Sequence, residues 1–454
     1  MSIFKKIKST FSVLKSVDIA AIAKLSEKID LGEVMKTVGE LDDRQMAGLM
    51  RMLKTKARKG QHNLPPIDGD FYDLSLKLTP HQREIQLKVR QFMEKEIKPI
   101  ANDFWNRAEF PHHIIPKMAK LNVCGLAYQG YGCPGESFLM EGILAMELAR
   151  IDVSISTFFG VHSGLAMGSI YLCGSEEQKQ EWLPKMQKME VIGAFGLTEP
   201  NVGSAVAGGM ETTCRKENNE WIINGQKKWI GNATFSDVTI IWAREEKTNA
   251  VKGFLVRKGN PGYKAEKMAD KMALRTVQNA LITLTNCKVP EEDRLQKCDH
   301  FSDTAQVLKM TRAAVAWQAV GCARGAYENA LKYTKKREQF GRPIARFQLI
   351  QNHLVEMVAN LTAMQTMCFR LSEMQDADIM TDEHASLAKV FCSMRTRDVV
   401  SRAREVMGGN GILLEYNVAR FVADAEAIYS YEGTKEINSL IVGRAITGYS
   451  AFVS

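Results

Sequence analysis

From Leu78 onward, apolar residues recur at steps of three and four. The run HQREIQLKVRQFMEKEIKPIANDFW (81–105) carries that period, which is the mark of an amphipathic helix. Thr79-Pro80 supplies its start, a threonine N-cap followed by proline at the first helical position. Helical segments separated by Gly and Pro continue to about Lys188. Near Val191 the period changes to two. WIINGQKKWIG (221–231) sets Asn224-Gly225 between apolar runs, which predicts a hairpin turn there. DVTIIWARE, GFLVRK and ALITLTNCKV read as strands, with turn-rich EEKTNAVKG and KGNPG between them. Helical periodicity returns after about Asp303, interrupted at FGRP (340–343), near Asp378, at GGNG (408–411) and at YEGT (431–434). The predicted fold is therefore mainly α with an inserted β domain. Its parts are an N-terminal α domain over 75–190, a β domain over 191–300 and a C-terminal helical bundle over 301–454.

The first 65 residues differ from this body. MSIFKKIKSTFSVLKSV places Ile3, Phe4, Ile7, Phe11 and Leu14 at helical spacing, with Lys5, Lys6, Lys8 and Lys15 between them. Residues 1–60 hold 13 Lys and Arg against 7 Asp and Glu, six of the chain's formal net charge of +8. Two readings follow: a solvated basic helical extension, or an amphipathic arm resting on anionic lipid or a partner protein. KARKGQHNLPPIDGD punctuates its end. The body is nearly neutral and has no basic helix with interleaved aromatics, so nucleic acid is not an expected partner.

With 45% hydrophobic and 25% charged residues, 454 residues suffice for two or three folded domains. No uninterrupted apolar run of about 18 residues occurs, so no membrane span is expected. The nine cysteines are scattered, odd in number and never spaced C-x-x-C. That pattern fits reduced thiols, argues against zinc and makes the cytoplasm the expected compartment.

Five segments carry candidate chemistry, each with a plain alternative. FGLTEPNVGS (195–204) joins the helical part to the β domain. It offers hydroxyls at Thr198 and Ser204, and glycines at 196 and 203 that admit a ligand close to backbone; it also reads as an ordinary turn. In KKWIGNATF (227–235), Trp229 either lies against an aromatic cofactor or fills the core of the β domain. In KKREQFGRPIARFQLIQ (335–351), Arg337 and Phe340 fall one turn apart and are expected on one helix face, with Arg337 suited to phosphate. EVMGGNG (405–411) is a helix stop or a place where backbone reaches a diphosphate. In YEGT, Thr434 is the expected N-cap of the helix KEINSLIVGRAIT. Glu432 is then a bystander, or a base for which Gly433 keeps space open.

Taken in order, FGLTEPNVGS, WI-G-N, REQFG, GGNG and YEGT resemble the acyl-CoA dehydrogenase family over roughly residues 75–454. The resemblance implies an N-terminal α bundle, a central β-barrel and a C-terminal four-helix bundle, assembled as a homotetramer with one FAD per subunit. It implies that Glu432 removes the α-proton of an acyl-CoA while the β-hydrogen leaves as hydride to flavin N5, giving a trans-2-enoyl-CoA. The enolate-like oxygen would be held by the flavin ribityl hydroxyl and the Glu432 backbone N–H. For FAD it points to Phe195, Gly196, Leu197, Thr198, Gly203, Ser204, Trp229, Ile230, Gly231 and Thr434. Arg337, Phe340, Gln348, Glu405, Gly408 and Gly409 would reach the FAD of a neighbouring subunit. For the substrate it points to Ser156, Thr157, Ser204, Thr311, Arg312 and Gly433, with Arg312 as the cation for CoA.

Two departures narrow this expectation. Many members carry threonine where this chain has Gly231; glycine is expected to leave space near the flavin, as in several acyl-CoA oxidases. The chain resembles most closely the branch of glutaryl-CoA dehydrogenases and short-chain acyl-CoA oxidases. Glutaryl enzymes place arginine where this chain has Ser156, so a distal carboxylate would stay unpaired. The expected reaction is short-chain acyl-CoA dehydrogenation with an electron-transfer flavoprotein as acceptor. The rivals are an oxidase using O2 and a non-catalytic flavoprotein scaffold. The tail YSAFVS lacks an S-K-L-like signal, which points toward the dehydrogenase.

Overall fold

The computed structural model describes residues 69–452; the basic extension read over 1–65 lies outside them. The chain proceeds through helices, then strands, then helices, as the periodicity predicts.

Helix α1 (Pro80–Phe92) begins with a reciprocal cap: Thr79 accepts from the Gln82 N–H, and the Gln82 side chain accepts from the Thr79 N–H. Helices α2 (Ala101–Arg107) and α3 (Ile115–Ala119) follow, then α4 (Phe138–Ile151). Helix α5 (Val153–Phe159), a π-helical segment Gly160–Ala166 and helix α6 (Met167–Cys173) run on as one rod. By length and composition that rod matches a membrane span, yet most of it is packed inside the protein as a core helix. Helix α7 (Glu176–Gln187) closes the domain.

The β domain holds β1 (Gly193–Gly196), helix α8 (Val206–Gly209), β2 (Thr213–Glu217), β3 (Glu220–Ile230), β4 (Val238–Glu245), β5 (Val251–Arg257), β6 (Tyr263–Lys267) and β7 (Ala280–Pro290). The strand order is β1-β4-β2-β3-β7-β6, with β5 on β4. Strands β1 and β2 share β4 in parallel, pairing Phe195 with Ile240 and Thr213 with Arg244. Asn224-Gly225 is not a hairpin. β3 runs through it with a bulge, and Gly225 has φ 144° because a side chain there would strike Thr212. The turn lies earlier, at Asn218, whose φ of 55° suits an asparagine.

The C-terminal part contains α9 (Phe301–Lys336), α10 (Gln348–Asp376), α11 (Asp382–Glu405), α12 (Val418–Ser430) and α13 (Lys435–Thr447). A short hairpin, β8 (Glu338–Gln339) and β9 (Arg342–Pro343), follows α9. Helices α4 and α9 approach unusually closely through glycine. A Cβ at Gly142 would lie 2.2 Å from Trp317, one at Gly321 2.3 Å from the Met146 carbonyl, and one at Gly325 2.2 Å from the Arg150 carbonyl. This contact welds the N-terminal domain to the C-terminal bundle and fixes α5 above α9, where the candidate site forms.

Trp317 is fully buried and pinned by its indole N–H to Ser372 Oγ at 2.9 Å, so it has no room to retreat. Gly142→Ala is therefore expected to cost roughly 1–3 kcal/mol in urea unfolding. Gly443→Ala, which meets nothing within 4 Å, should be neutral or stabilising by up to about 1 kcal/mol.

Candidate active site

The turn between α12 and α13 is built from the YEGT motif. Tyr431 closes α12, Glu432 takes φ 53°, Gly433 takes φ 81°, and Thr434 caps α13 by accepting from the Ile437 N–H at 3.2 Å. A left-handed glutamate is strained and needs outside support. Support comes from three directions. Lys389 on α11, 1% exposed, donates to the carbonyls of Tyr429 and Gly433, each at 2.8 Å. Asn438 on α13 donates to the carbonyls of Gly433 and Thr434 at 2.9 and 3.0 Å. The Tyr431 hydroxyl donates to Gln318 on α9, whose amide donates to Thr157 Oγ1 at 3.1 Å on α5.

Within this frame the Glu432 Oε2 is buried and has no hydrogen-bond partner among the described residues. Burial raises the Glu432 carboxyl above the ordinary range, against the opposing pull of Arg312 and Lys389. The Glu432 backbone N–H donates to no described residue.

Thr157 and Ser156 lie on α5, and Thr311 and Arg312 on α9. The Ser156 hydroxyl donates to the Ala145 carbonyl at 3.2 Å, and that of Thr311 to the Val307 carbonyl at 3.2 Å. Gly164, on the π-helical segment, would meet Thr311 Cγ2 at 3.3 Å if it bore a Cβ. Arg312 is 8% exposed, and its guanidinium meets Asp382 and Ser386 on α11. The structure thus brings Ser156, Thr157, Thr311, Arg312, Glu432, Gly433 and Thr434 onto three adjoining elements.

The β domain supplies the facing wall. Phe195 is buried against Trp242, ring centroids 6.0 Å apart, and Gly196 lets β1 lie against Ile241. The Leu197 carbonyl accepts from Lys227 Nζ at 3.1 Å, and the Thr198 carbonyl from the Lys228 N–H at 2.8 Å. Lys227 also pairs with Glu199 at 2.8 Å, both buried, and Glu199 accepts the N–H groups of Glu211 and Thr212. Burial draws Lys227 down to about 8 while Glu199 pulls it back. Beyond this anchor, Gly203 and Ser204 are exposed. Trp229 does not fill the core: it sits at a bulge with φ 68°, 53% exposed, while Ile230 behind it is buried. The flank of Gly231 is not open either, since a Cβ there would meet Val161 Cγ2 at 3.3 Å and Val277 Cγ1 at 3.6 Å. A valine on the facing rod has taken up the room that the glycine was expected to leave.

Arg337 and Phe340 do not share a helix face. Helix α9 ends at Lys336, and Phe340, φ 52°, and Gly341, φ 73°, form the tight turn of the β8–β9 hairpin. Phe340 is 92% exposed. Gln348 opens α10, Glu405 ends α11, and Gly408 and Gly409 follow with open space beside them. Arg337 lines a cavity of about 350 Å3 with Lys332, Lys336, Asn410 and Tyr416 among others. Twenty-five residues of α9 separate Arg312 from Arg337, roughly 37 Å at 1.5 Å per residue. This second group therefore stands apart from Glu432.

Four groups escaped the sequence reading: Lys389, Gln318, Asn438 and the pair Lys227–Glu199. Lys389 had a signal, because it interrupts the buried stripe Ala385, Ala388, Cys392, Thr396. The others looked like ordinary polar residues on helices or strands.

The walls fit a flavin dinucleotide: a half-exposed indole beside a buried isoleucine, glycines facing open space, and an exposed arginine at a basic cavity. Comparison with known proteins agrees. Family models match residues 79–190 as acyl-CoA dehydrogenase N-terminal domain, 194–287 as the middle domain and 301–447 as the C-terminal domain. An acyl-CoA dehydrogenase of Bacillus subtilis is 32% identical over 378 residues, covering 82% of this chain and 100% of its own. A short-chain specific acyl-CoA dehydrogenase of Clostridium acetobutylicum is 30% identical, with 82% and 100% covered. The crystal structure of a glutaryl-CoA dehydrogenase from Mycobacterium smegmatis in complex with FADH2 superposes with a TM-score of 0.83 at 34% identity, covering 86% of this chain and 100% of that one.

Removing one partner of a buried ion pair costs about 3–5 kcal/mol. Lys227→Met is expected to lose that much in chemical unfolding and to free the segment 197–204 to proteolysis. Adding Glu199→Gln should recover part of the loss; an additive double variant would show that the pair is not coupled.

Proposed function

The chain belongs to the acyl-CoA dehydrogenase family, an FAD-dependent family of oxidoreductases in which a tetramer is typical, and we propose that it dehydrogenates short-chain acyl-CoA with Glu432 as the base. The observation that carries this reading is the Glu432 carboxylate, which has one oxygen buried without a partner. A bystander glutamate would turn both oxygens to water; this one keeps Oε2 buried on a left-handed backbone.

Glu432 takes the C2 proton of the thioester. The electrons of that C–H bond form the C2=C3 double bond, and the C3 hydrogen departs with its pair. FAD, when bound, supplies the acceptor for that hydride. Phe195 to Ser204 and Trp229 to Gly231 would hold the ring, with Thr434 beside the base. The free Glu432 N–H serves the thioester oxygen, where negative charge develops. Thr157 and Thr311 line the acyl side.

The acyl group is short and carries no distal carboxylate. The Ser156 hydroxyl is engaged with Ala145, and no arginine stands at that position to receive an anion. The electron acceptor is an electron-transfer flavoprotein rather than oxygen; Val161 against Gly231 supports this by narrowing the approach to the ring. The second, distant cluster around Arg337 supports a homotetramer in which it serves a neighbour's cofactor.

Glu432→Gln, purified with FAD bound, should lower kcat by about 10²–10⁴-fold; retained turnover would overturn the assignment. Because burial raises the Glu432 pKa and the base must be ionised, activity should fall with acid at a pH above the ordinary glutamate value of about 4.3. Anaerobic mixing should bleach the flavin with butyryl-CoA but poorly with glutaryl-CoA, and aerobic turnover should release little peroxide. Efficient glutaryl turnover, or peroxide equal to product, would refute the substrate or acceptor assignment respectively.

A further inference from the structure

We infer that Lys389 is the positioning residue of the base: it clamps both ends of the turn that carries Glu432 and sets a cation on the backbone beside that carboxylate. The inference rests on the reading of Glu432 as base and adds a residue to it.

The geometry is specific. Lys389 rises from the middle of α11, and its ammonium bridges the last turn of α12, at the Tyr429 carbonyl, to the Gly433 carbonyl, both at 2.8 Å. These two carbonyls bracket the residues that leave one helix and enter the next. Carbonyls at a helix C-terminus attract a cation. A lysine this buried is costly without full use of its donors. Two donors go to the bracket, and among the described residues no carboxylate pairs with it directly. Its nearest anions are Glu432 and then Glu436 on α13. Toward Glu432 the facing charges are Arg312 from α9 and Lys389 from α11, with Tyr431 adjacent in sequence. Arg312 already meets Asp382, which offsets its charge. Arg312 is the stronger of the two charges acting on Glu432 and Lys389 the second, and only Lys389 also holds the backbone of the turn. A merely structural residue at this position would be an apolar member of the stripe on either side of it.

The test uses the full chain loaded with FAD, comparing wild type, Lys389→Met, Lys389→Gln and Lys389→Arg. The first reading is kcat and KM for butyryl-CoA across pH 5 to 9. The second is the pH-difference infrared band of the protonated Glu432 carboxyl, assigned by its loss in Glu432→Gln. Lys389→Met should lower kcat at neutral pH about 10-fold or more with KM changed less than about threefold. The acid limb and the infrared titration should move together to higher pH by about one unit or more, the size expected on losing a nearby opposite charge. Lys389→Arg should restore the limb. Glutamine, which keeps a donor but no charge, should keep the displaced limb, and it replaces the methionine variant if that one does not fold. An unmoved limb and band in the uncharged variants, whatever their melting temperature, would overturn the inference. Loss of the band assignment, or full activity in Glu432→Gln, would instead overturn the assignment of the base itself.

Discussion

A carboxylate withdrawn from water favours its neutral form, and a base must not be neutral. That conflict organises the region around Glu432. Burial raises the group's proton affinity, which on the proposed reading strengthens it as a base, and Arg312 and Lys389 oppose that rise. The backbone contributes as well. A left-handed glutamate followed by a left-handed glycine turns the chain sharply between α12 and α13, with the Tyr431 N–H on the Ala427 carbonyl at one side and Thr434 Oγ1 accepting from the Ile437 N–H at the other. Asn438 and Lys389 bind the Gly433 carbonyl from opposite helices. The strain is local, and its supports come from elements distant in sequence.

Those supports reach across the whole fold. Tyr431 touches Gln318, and Gln318 touches Thr157, so the base, the long helix α9 and the rod beginning with α5 share one polar chain. The rod is fixed because α4 packs on α9 through Gly142, Gly321 and Gly325. The β domain completes the arrangement by pressing Gly231 against Val161 of the same rod. Hence the Val153–Cys173 segment, apolar along most of its length, is shared by the polar chain that leads to Glu432 and by the β domain. Its hydrophobic character reflects contact with α4, α9 and β1, among others, around it.

Much of this was legible in the sequence where local chemistry decides the outcome. The Thr79-Pro80 start, the Thr434 cap and the strands after Asp237 follow from neighbours a few residues away. Errors arose where tertiary contact overrode a local signal. Asn224-Gly225 has the dipeptide of a hairpin, but β3 pairs with β7 on both sides of it and the glycine serves close packing on Thr212. Arg337 and Phe340 keep helical spacing in the sequence, but the helix has ended at Lys336 and the β8–β9 hairpin takes over. Of the two readings of Trp229, the core one fails because a bulge turns the ring outward, which sequence spacing does not show. The space beside Gly231 depends on Val161, seventy residues earlier, which no local reading weighs. Lys389 shows the opposite failure: its signal was present, a lone cation within an apolar stripe, and it pointed to a buried partner whose identity only the fold reveals.

The length of α9 sets a last constraint. The helix carries Thr311 and Arg312 in its first third and ends at Lys336, next to Arg337, and a straight helix of 36 residues spans about 54 Å. Within one chain its two ends serve different places. The far end presents an exposed phenylalanine, an arginine and glycines with open flanks, next to a basic cavity. If both ends bind parts of a flavin dinucleotide, the far end must bind that of another copy, and the site around Glu432 must receive its own complement in return. Assembly and catalysis are then linked through one rigid element. On the proposed reading, the helix that carries Thr311 and Arg312 also sets where a neighbouring subunit sits.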